Sequence, residues 1–147
     1  MKCTPSGELF TQVVLEIFKL GGMLNAEGDK LTEEFELSSA RWKILGALET
    51  SNSSIPVPQI GRVMGQSRQA VERLVDAMSK DGMLQLKDNP NHKRAKYVSL
   101  TTKGKEIYLQ LQGKQLPWAN QCSEQISESE LKTTLSVLRK VSHQFLT

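Results

Sequence analysis

The chain has 147 residues, a net charge of +3, two cysteines and a hydrophobic fraction of 38%. This length suits one domain with its own core, and two widely separated cysteines give no sign of a disulfide framework or a zinc site. The first ten residues contain no apolar signal-peptide core, and no run approaches transmembrane length. We therefore expect one soluble, cytoplasmic domain over residues 1–147, without membrane contact or a cofactor.

Two helices are predicted in the first third of the chain. Apolar residues recur at three- and four-residue spacing over about 8–25, which is typical of an amphipathic helix. Gly28, Asp29 and the acidic run 33–36 are expected to form a connector. Ser38 is a good N-cap for a second helix, which the polar stretch 50–54 should end.

A helix-turn-helix pattern follows over residues 58–80. Pro58 opens a short helix at a position where its missing N–H costs nothing, and this helix runs to about residue 64. A turn at Gly65 and Gln66 leads to a longer amphipathic helix over 67–80. Just before the pattern, residues 55–57 form a short extended run that could pair with a later hairpin.

A basic hairpin is predicted directly after these helices. Gly82 stops the second helix, and two strand-like runs, 83–87 and 96–100, flank a loop over 88–95. Residues 60–106 carry ten Lys/Arg against five Asp/Glu, a local charge of +5, while the remainder carries nine against eleven. Such a helix can enter a DNA major groove, and a cationic hairpin can reach a minor groove or the phosphates. A solvated charged face is the alternative.

Two more helices are predicted after the hairpin. Thr101 can cap a helix from 102 towards 113 or beyond, which Pro117 should break or kink. Ser127 and Glu130 fit a capping box for the last helix. The terminal helices hold more large aliphatic residues than the lobe at 37–101 needs. They could pack on that lobe in a monomer, but we expect residues 8–26 and 102–147 to form a dimerisation region.

Four segments in this order resemble the MarR family of bacterial transcription regulators. They read LSSARWKIL at 37–45, QSRQAVERLVD at 66–76, KDGML at 80–84 and RAKYVSLTTKG at 94–104. The resemblance implies a mainly α (α+β) winged helix-turn-helix fold with about six helices and a small β-hairpin wing. It also implies a homodimer that binds pseudo-palindromic double-stranded DNA and represses transcription. A small, often aromatic, effector releases such a dimer from the DNA.

The wing departs from the pattern of that family, which usually reads Asp-Pro-x-Asp-Arg-Arg-Ala. Here the residues at 89–95 are Asn-Pro-Asn-His-Lys-Arg-Ala, so both acidic positions are lost. Lys93 cannot reproduce the planar fork of an arginine. Arg94 remains the best candidate for a minor-groove contact.

Seven residues are predicted to contact DNA: Ser67, Arg68, Gln69, Arg73, Lys93, Arg94 and Lys96. Arginine can pair bidentately with guanine and glutamine with adenine, which favours base contacts for Arg68 and Gln69. Arg73 could instead bind a phosphate or pair within its helix. Ordinary exposed helix residues are the alternative for all four positions on the helix. Loss of Lys93 should weaken all sequences alike.

Three large side chains, Met23, Trp42 and Trp118, are candidates to line an effector pocket between the dimerisation helices and the DNA-binding lobe. Tryptophan at helical spacing is more often part of a core. Cys3 and Cys122 raise the alternative of a redox-sensing regulator, although ordinary cysteines are favoured for both. A winged-helix protein-interaction module without specific DNA binding is a further alternative. No catalytic arrangement, phosphate-cradling loop or metal-ligand spacing is present in the sequence, so an enzyme is not expected.

Overall fold

The computed structural model describes residues 1–51, 54–92 and 94–146. Within them the chain forms six α-helices and three short strands. In chain order these are α1 (Pro5–Thr32), α2 (Ser39–Ser51), β1 (Ile55–Pro56), α3 (Val57–Met64), α4 (Arg68–Lys80), β2 (Leu84–Lys87), β3 (Tyr97–Leu100), α5 (Thr102–Ser123) and α6 (Glu128–His143). The predicted mainly α fold with a small hairpin is confirmed.

Helix α1 is longer than the sequence pattern predicts. It continues through Gly28 and Asp29 to Thr32, so the expected connector at these two residues is wrong. A side chain at Gly28 would place its Cβ 2.6 Å from the Ser39 hydroxyl, which lies on α2. Asp29 Oδ1 accepts a hydrogen bond from the Ser39 backbone N–H at 2.7 Å. Contact with α2 therefore extends the helix across residues that usually end one.

Only the acidic run after α1 forms the connector. Glu33–Phe35 makes one turn of 3₁₀-helix, and Glu36 ends it in a left-handed conformation with φ 56°. The Ser38 hydroxyl then accepts a hydrogen bond from the Arg41 N–H at 3.3 Å, as the predicted cap of α2 requires. Lys114 of α5 pairs with Glu34, which ties this connector to the C-terminal half of the molecule.

The hydrophobic core lies between α2, α3, α4, the sheet and the first half of α5. The face of α4 that packs into it carries Val71, Val75 and Met78, all at most 2% exposed. At about 25 cal/mol per Å² of apolar surface, each such side chain contributes roughly 1.5–3 kcal/mol to keeping α4 on the core. The opposite face of α4 is left exposed to solvent.

The turn between α3 and α4 is confirmed and depends on two glycines. Gly65 adopts φ 66°, a left-handed conformation that glycine accepts without strain. Gly61 allows the turn to close, since a Cβ there would lie 2.8 Å from the Gln66 carbonyl oxygen. The Gln66 N–H donates to the Gly61 carbonyl at 2.9 Å. Ser67 then caps α4 by accepting from the Ala70 N–H at 3.2 Å.

The three strands form one antiparallel sheet in the order β1–β3–β2. The expected pairing of the run at 55–57 with the hairpin is confirmed for Ile55, which lies opposite Val98. The hairpin itself pairs Leu84 with Leu100 at its base and Lys87 with Tyr97 at its outer end. The wing loop, residues 88–96, connects β2 to β3.

Helix α5 passes through Pro117 and ends at Ser123, so of the two predicted outcomes, a break or a kink, the break does not occur. Proline removes the hydrogen bond to the carbonyl four residues earlier, which belongs to Gly113. Gly113 and Pro117 are both exposed, so water can hydrate that carbonyl. The capping box that starts α6 is confirmed, with both the Ser127 and Glu130 hydrogen bonds present. No helix of the described residues is long and apolar enough to cross a membrane.

Candidate nucleic-acid interface

The exposed face of α4 begins at its N-terminus. Arg68, Gln69 and Arg73 are all exposed there, and Ser67 is the exposed N-cap residue. The buried face of the same helix fixes its rotation about its axis, so these four side chains point away from the core together. Such a face has the shape and the donor groups that a major groove accepts.

The side chain of Arg68, the first residue of α4, reaches from this helix to the wing. Its Nε donates to Glu72 Oε1 at 3.0 Å, and its Nη2 donates to the Arg94 carbonyl oxygen at 3.4 Å. The side chains of Arg68 and Glu72 are 47% and 45% exposed. The structure therefore brings together two of the predicted DNA contacts, Arg68 on the helix and Arg94 on the wing.

The wing presents its remaining cations at the same end of the lobe. Arg94 and Lys96 are both exposed, whereas Ala95 between them is buried. Lys93, which was also predicted to contact DNA, lies outside the described residues. The side chain of Asn89 crosses the wing loop and donates to the Ala95 carbonyl at 3.1 Å.

A second set of contacts holds the C-terminal end of α4. Arg41 Nη1 of α2 lies 2.8 Å from Asp81 Oδ2, and Lys103 Nζ of α5 donates to the Asp81 carbonyl at 2.7 Å. The Thr101 hydroxyl donates to the Gly82 carbonyl at 2.6 Å. These contacts tie α4 to both helices that flank the pocket described next. Sequence spacing contains no sign of them because the partners are 40, 22 and 19 residues apart.

A cavity of about 410 Å³ lies between α1, α2 and α5. Trp42 and Trp118, two of the three predicted effector residues, both line it, whereas Met23 does not and is 56% exposed. Lys43 is at its edge and donates to Asn25 Oδ1 at 2.6 Å. The full lining comprises Leu24, Gly28, Leu31, Ser39, Trp42, Lys43, Gly46, Tyr108, Gln112, Gln115 and Trp118.

Polar residues of this lining were not predicted from the sequence. Tyr108, Gln112 and Gln115 recur at three- and four-residue spacing on α5, which places them on one face. That spacing was visible, but the cavity opposite them depends on how α1 and α2 pack. The pocket is thus mainly apolar with a few polar groups, as small-molecule sites usually are.

The terminal helices leave a broad apolar surface uncovered. A groove of about 590 Å³ runs between α1 and α6. Its lining is almost wholly apolar and comprises Phe10, Val14, Ile17, Phe18, Leu138, Arg139, Val141, Ser142 and Phe145. Phe18 and Phe145 are 73% and 71% exposed in the single chain. Contiguous apolar surface of this kind marks an interaction surface.

Cys3 and Cys122 are both free and exposed. Cys3 precedes α1, and Cys122 is in the last turn of α5. In the part of the chain that the structure describes, no group of three or more His, Cys, Asp or Glu residues is placed to hold a metal ion.

A helix-turn-helix whose second helix exposes one face to solvent, followed by a β-hairpin wing, defines a winged-helix protein. The model of the MarR family matches residues 35–95, which include the helix-turn-helix and most of the wing. The structure of a solved MarR/EmrR-family regulator matches 93% of the chain. The chain is therefore a winged-helix protein that is similar to the MarR family over residues 35–95.

Two relatives illustrate the similarity in sequence. The chain is 28% identical over 148 residues to the multiple antibiotic resistance protein MarR of Escherichia coli, covering 96% of this chain and 99% of that protein. It is 25% identical over 130 residues to an uncharacterised protein of Mycobacterium tuberculosis, covering 88% and 90%.

Solved structures share the fold at lower identity. A MarR/EmrR-family regulator of an Acinetobacter species has a TM-score of 0.81 at 22% identity, covering 93% of this chain and 96% of its own. A variant of E. coli MarR in complex with operator DNA has a TM-score of 0.70 at 23% identity, covering 87% and 94%. CouR of Rhodococcus jostii, bound to p-coumaroyl-CoA, has a TM-score of 0.78 at 15% identity, covering 88% and 91%. These likenesses show that the chain shares the fold of these regulators.

Proposed function

We propose that the chain is a homodimeric, sequence-specific DNA-binding repressor that a small aromatic effector releases from its operator. The observation that carries this proposal is the exposed N-terminal face of α4 beside the exposed cations of the wing. The predicted contacts Ser67, Arg68, Gln69 and Arg73 would enter a major groove, and Arg94 and Lys96 would reach the flanking minor groove or phosphates. The operator complex of E. coli MarR supports this use of the fold.

The homodimer is supported by the apolar groove between α1 and α6. A single chain would leave Phe18, Phe145 and their neighbours in water, whereas a second copy offers the same surface in return. A two-fold dimer would set two α4 helices against successive major grooves. This arrangement requires a separation of about 34–36 Å and explains why a pseudo-palindromic target is expected.

The effector is proposed to bind in the cavity between α1, α2 and α5. Trp42, Trp118 and Tyr108 would contact an aromatic ring, and Lys43 would attract a negative charge on the ligand. Binding in this cavity would act on the dimerisation helices and on α2 together. The p-coumaroyl-CoA complex of CouR supports an aromatic ligand on this fold. A ligand shifts the DNA-binding equilibrium only by its difference in affinity for the two states.

A gel shift with a salt titration tests DNA binding against the alternative of a protein-interaction module. The probe is DNA from upstream of the protein's own gene, and a scrambled duplex of equal length is the control. We expect preferential retardation of the upstream DNA and a fall in affinity with salt that reflects several phosphate contacts. Equal and weak retardation of both duplexes would contradict specific DNA binding.

Tryptophan fluorescence tests the effector site separately. The chain has two tryptophans, and both line the cavity. A phenolic acid that binds there should quench their emission and also release the DNA probe. Trp118→Phe keeps an aromatic side chain and removes one reporter, so a ligand in the cavity should still bind but quench less. Quenching without DNA release would contradict the effector role of the cavity.

A further inference from the structure

Among the described residues of the wing loop, the side chain of Asn89 bridges the two sides of the loop. Its Nδ2 donates to the Ala95 carbonyl oxygen at 3.1 Å, and its Oδ1 accepts from the Asn91 N–H at 3.0 Å. Its own carbonyl accepts from the His92 N–H at 3.1 Å. We propose that Asn89 is a positioning residue that holds the wing in the shape from which Arg94 contacts DNA. This inference rests on the proposed DNA-binding function.

Both halves of the Asn89 amide are used, so a carboxylate cannot replace it. An ionised aspartate has acceptors and no donor. It would keep the bond from the Asn91 N–H, but its second oxygen would face the Ala95 carbonyl oxygen and repel it. The aspartate that MarR-like wings usually carry at this position could not make the contact to Ala95. The neutral residue therefore indicates a wing with a different internal support.

The effect of Asn89 reaches Arg94 through the backbone. Ala95 is 7% exposed, and its N–H donates to the His92 carbonyl at 3.3 Å. The carbonyl of Arg94 accepts from Arg68 Nη2 at 3.4 Å on the other side. The peptide segment 94–95 is thus held by the loop and by α4 at once, while the Arg94 side chain stays exposed.

A wing that is ordered before it meets DNA avoids part of the entropy cost of binding. Without the Asn89 bond to Ala95, the hydrogen bonds that segment 94–95 makes to described residues would be reduced to those with Arg68 and His92. Arg94 would then have to be ordered on the DNA. The contact of α4 with the major groove does not depend on Asn89, so the two contacts should respond differently to its loss.

Three variants separate positioning from charge. Asn89→Ala removes both amide bonds without changing charge, and Asn89→Asp removes the donor and adds one negative charge. Asn91→Asp is the matched control: it adds the same charge two residues away, where only the backbone N–H bonds to Asn89. The probe is the duplex that the wild-type chain selects from a random pool. Loss of a hydrogen bond worth about 0.5–1.5 kcal/mol corresponds to a roughly 2- to 12-fold loss of affinity.

We expect Asn89→Ala to bind about 2- to 12-fold more weakly than wild type, and Asn89→Asp more weakly than Asn91→Asp by a similar factor. Hydroxyl-radical footprints should lose minor-groove protection where the wing lies, while major-groove protection by α4 persists. Amide hydrogen exchange of the free Asn89→Ala protein should be faster at Ala95. A general loss of folding would instead weaken the protection in both grooves and lower the unfolding temperature.

Two results would overturn the inference. The first is that Asn89→Ala matches wild type, and Asn89→Asp matches Asn91→Asp, in both affinity and footprint. Asn89 then does not position the wing, although DNA binding stands. If the wild-type chain selects no duplex, the proposed DNA-binding function and the role of Asn89 towards DNA fall together. The exchange rate at Ala95 would then still show whether Asn89 closes the loop.

Discussion

Replacing Arg68 with alanine should weaken DNA binding far more than it weakens the fold. The ion pair with Glu72 is half exposed and spaced four residues apart on one helix, so it stabilises the chain by about 0.3–0.5 kcal/mol. The hydrogen bond to the Arg94 carbonyl is long and exposed, which places it near about 0.5 kcal/mol. Together these losses should lower the free energy of unfolding by about 1 kcal/mol at most.

The same substitution should cost about 1–3 kcal/mol in DNA binding, or roughly 5- to 150-fold in affinity. A guanidinium that pairs with a guanine edge carries both affinity and discrimination between bases. The bond to Glu72 occupies only the Nε of Arg68, so the guanidinium can meet a base edge through Nη1 and Nη2 while Glu72 holds it. Glu72→Ala removes that hold together with a negative charge beside the DNA, so it should change the affinity for the same duplex much less than Arg68→Ala does.

Fluorescence anisotropy against the selected duplex and its single-base variants measures the effect of Arg68→Ala. Urea denaturation of the same protein measures the fold. Lys96→Ala is the control, since it removes one wing cation and should weaken all duplexes alike while reducing the salt slope by about 1. Uniform weakening by Arg68→Ala would show that Arg68 contacts phosphate. Unchanged affinity would refute its place in the interface.

The other predictions concern the fold, the dimer and the link between helices. Gly104→Ala should destabilise the chain by about 1–3 kcal/mol because its Cβ would lie 2.3 Å from the Met83 carbonyl oxygen. Gly113→Ala on the same helix meets nothing within 4 Å and should be neutral or stabilising in urea denaturation. Phe18→Glu should convert a dimer to a folded monomer in sedimentation, and an unchanged mass would exclude this face. Arg41→Ala should leave DNA affinity within a few-fold but reduce the response to effector, and a full response would show that its ion pair transmits nothing.

Local sequence signals predicted most of the DNA-binding lobe. The turn at Gly65, the cap at Ser67 and the stop at Gly82 depend on residues within a few positions of each other. The capping box at Ser127 is equally local. Because the physical cause of each feature lies within one or two turns of chain, the sequence was sufficient to place it.

The two departures from the predicted helices both concern residues whose surroundings overrule their propensity. Gly28 and Asp29 usually end a helix, yet here they serve as a contact and a cap for Ser39, ten or more residues later. Pro117 usually breaks a helix, yet its exposed position lets water satisfy the carbonyl it releases at Gly113. The surroundings of the residue in the folded chain decide both cases, and helix propensity carries no information about those surroundings.

The candidate interface shows the same division. Exposure of Arg68 and Gln69 follows from the periodicity of α4 and was predictable. The contact between Arg68 and the Arg94 carbonyl could not be predicted, because it joins residues 26 positions apart. The loss of acidic residues from the wing was visible in the sequence, whereas the bond from Asn89 to the Ala95 carbonyl was not.

Selection of bound duplexes from a random DNA pool tests the central claim most directly. A dimer that presents two α4 helices should enrich a pseudo-palindrome whose half-sites lie about 10–10.5 base pairs apart, centre to centre. Arg68→Ala should enrich a more degenerate version of the same motif. A pool that shows no motif after repeated rounds, or a single half-site without symmetry, would contradict the account of a dimeric, sequence-specific DNA-binding protein.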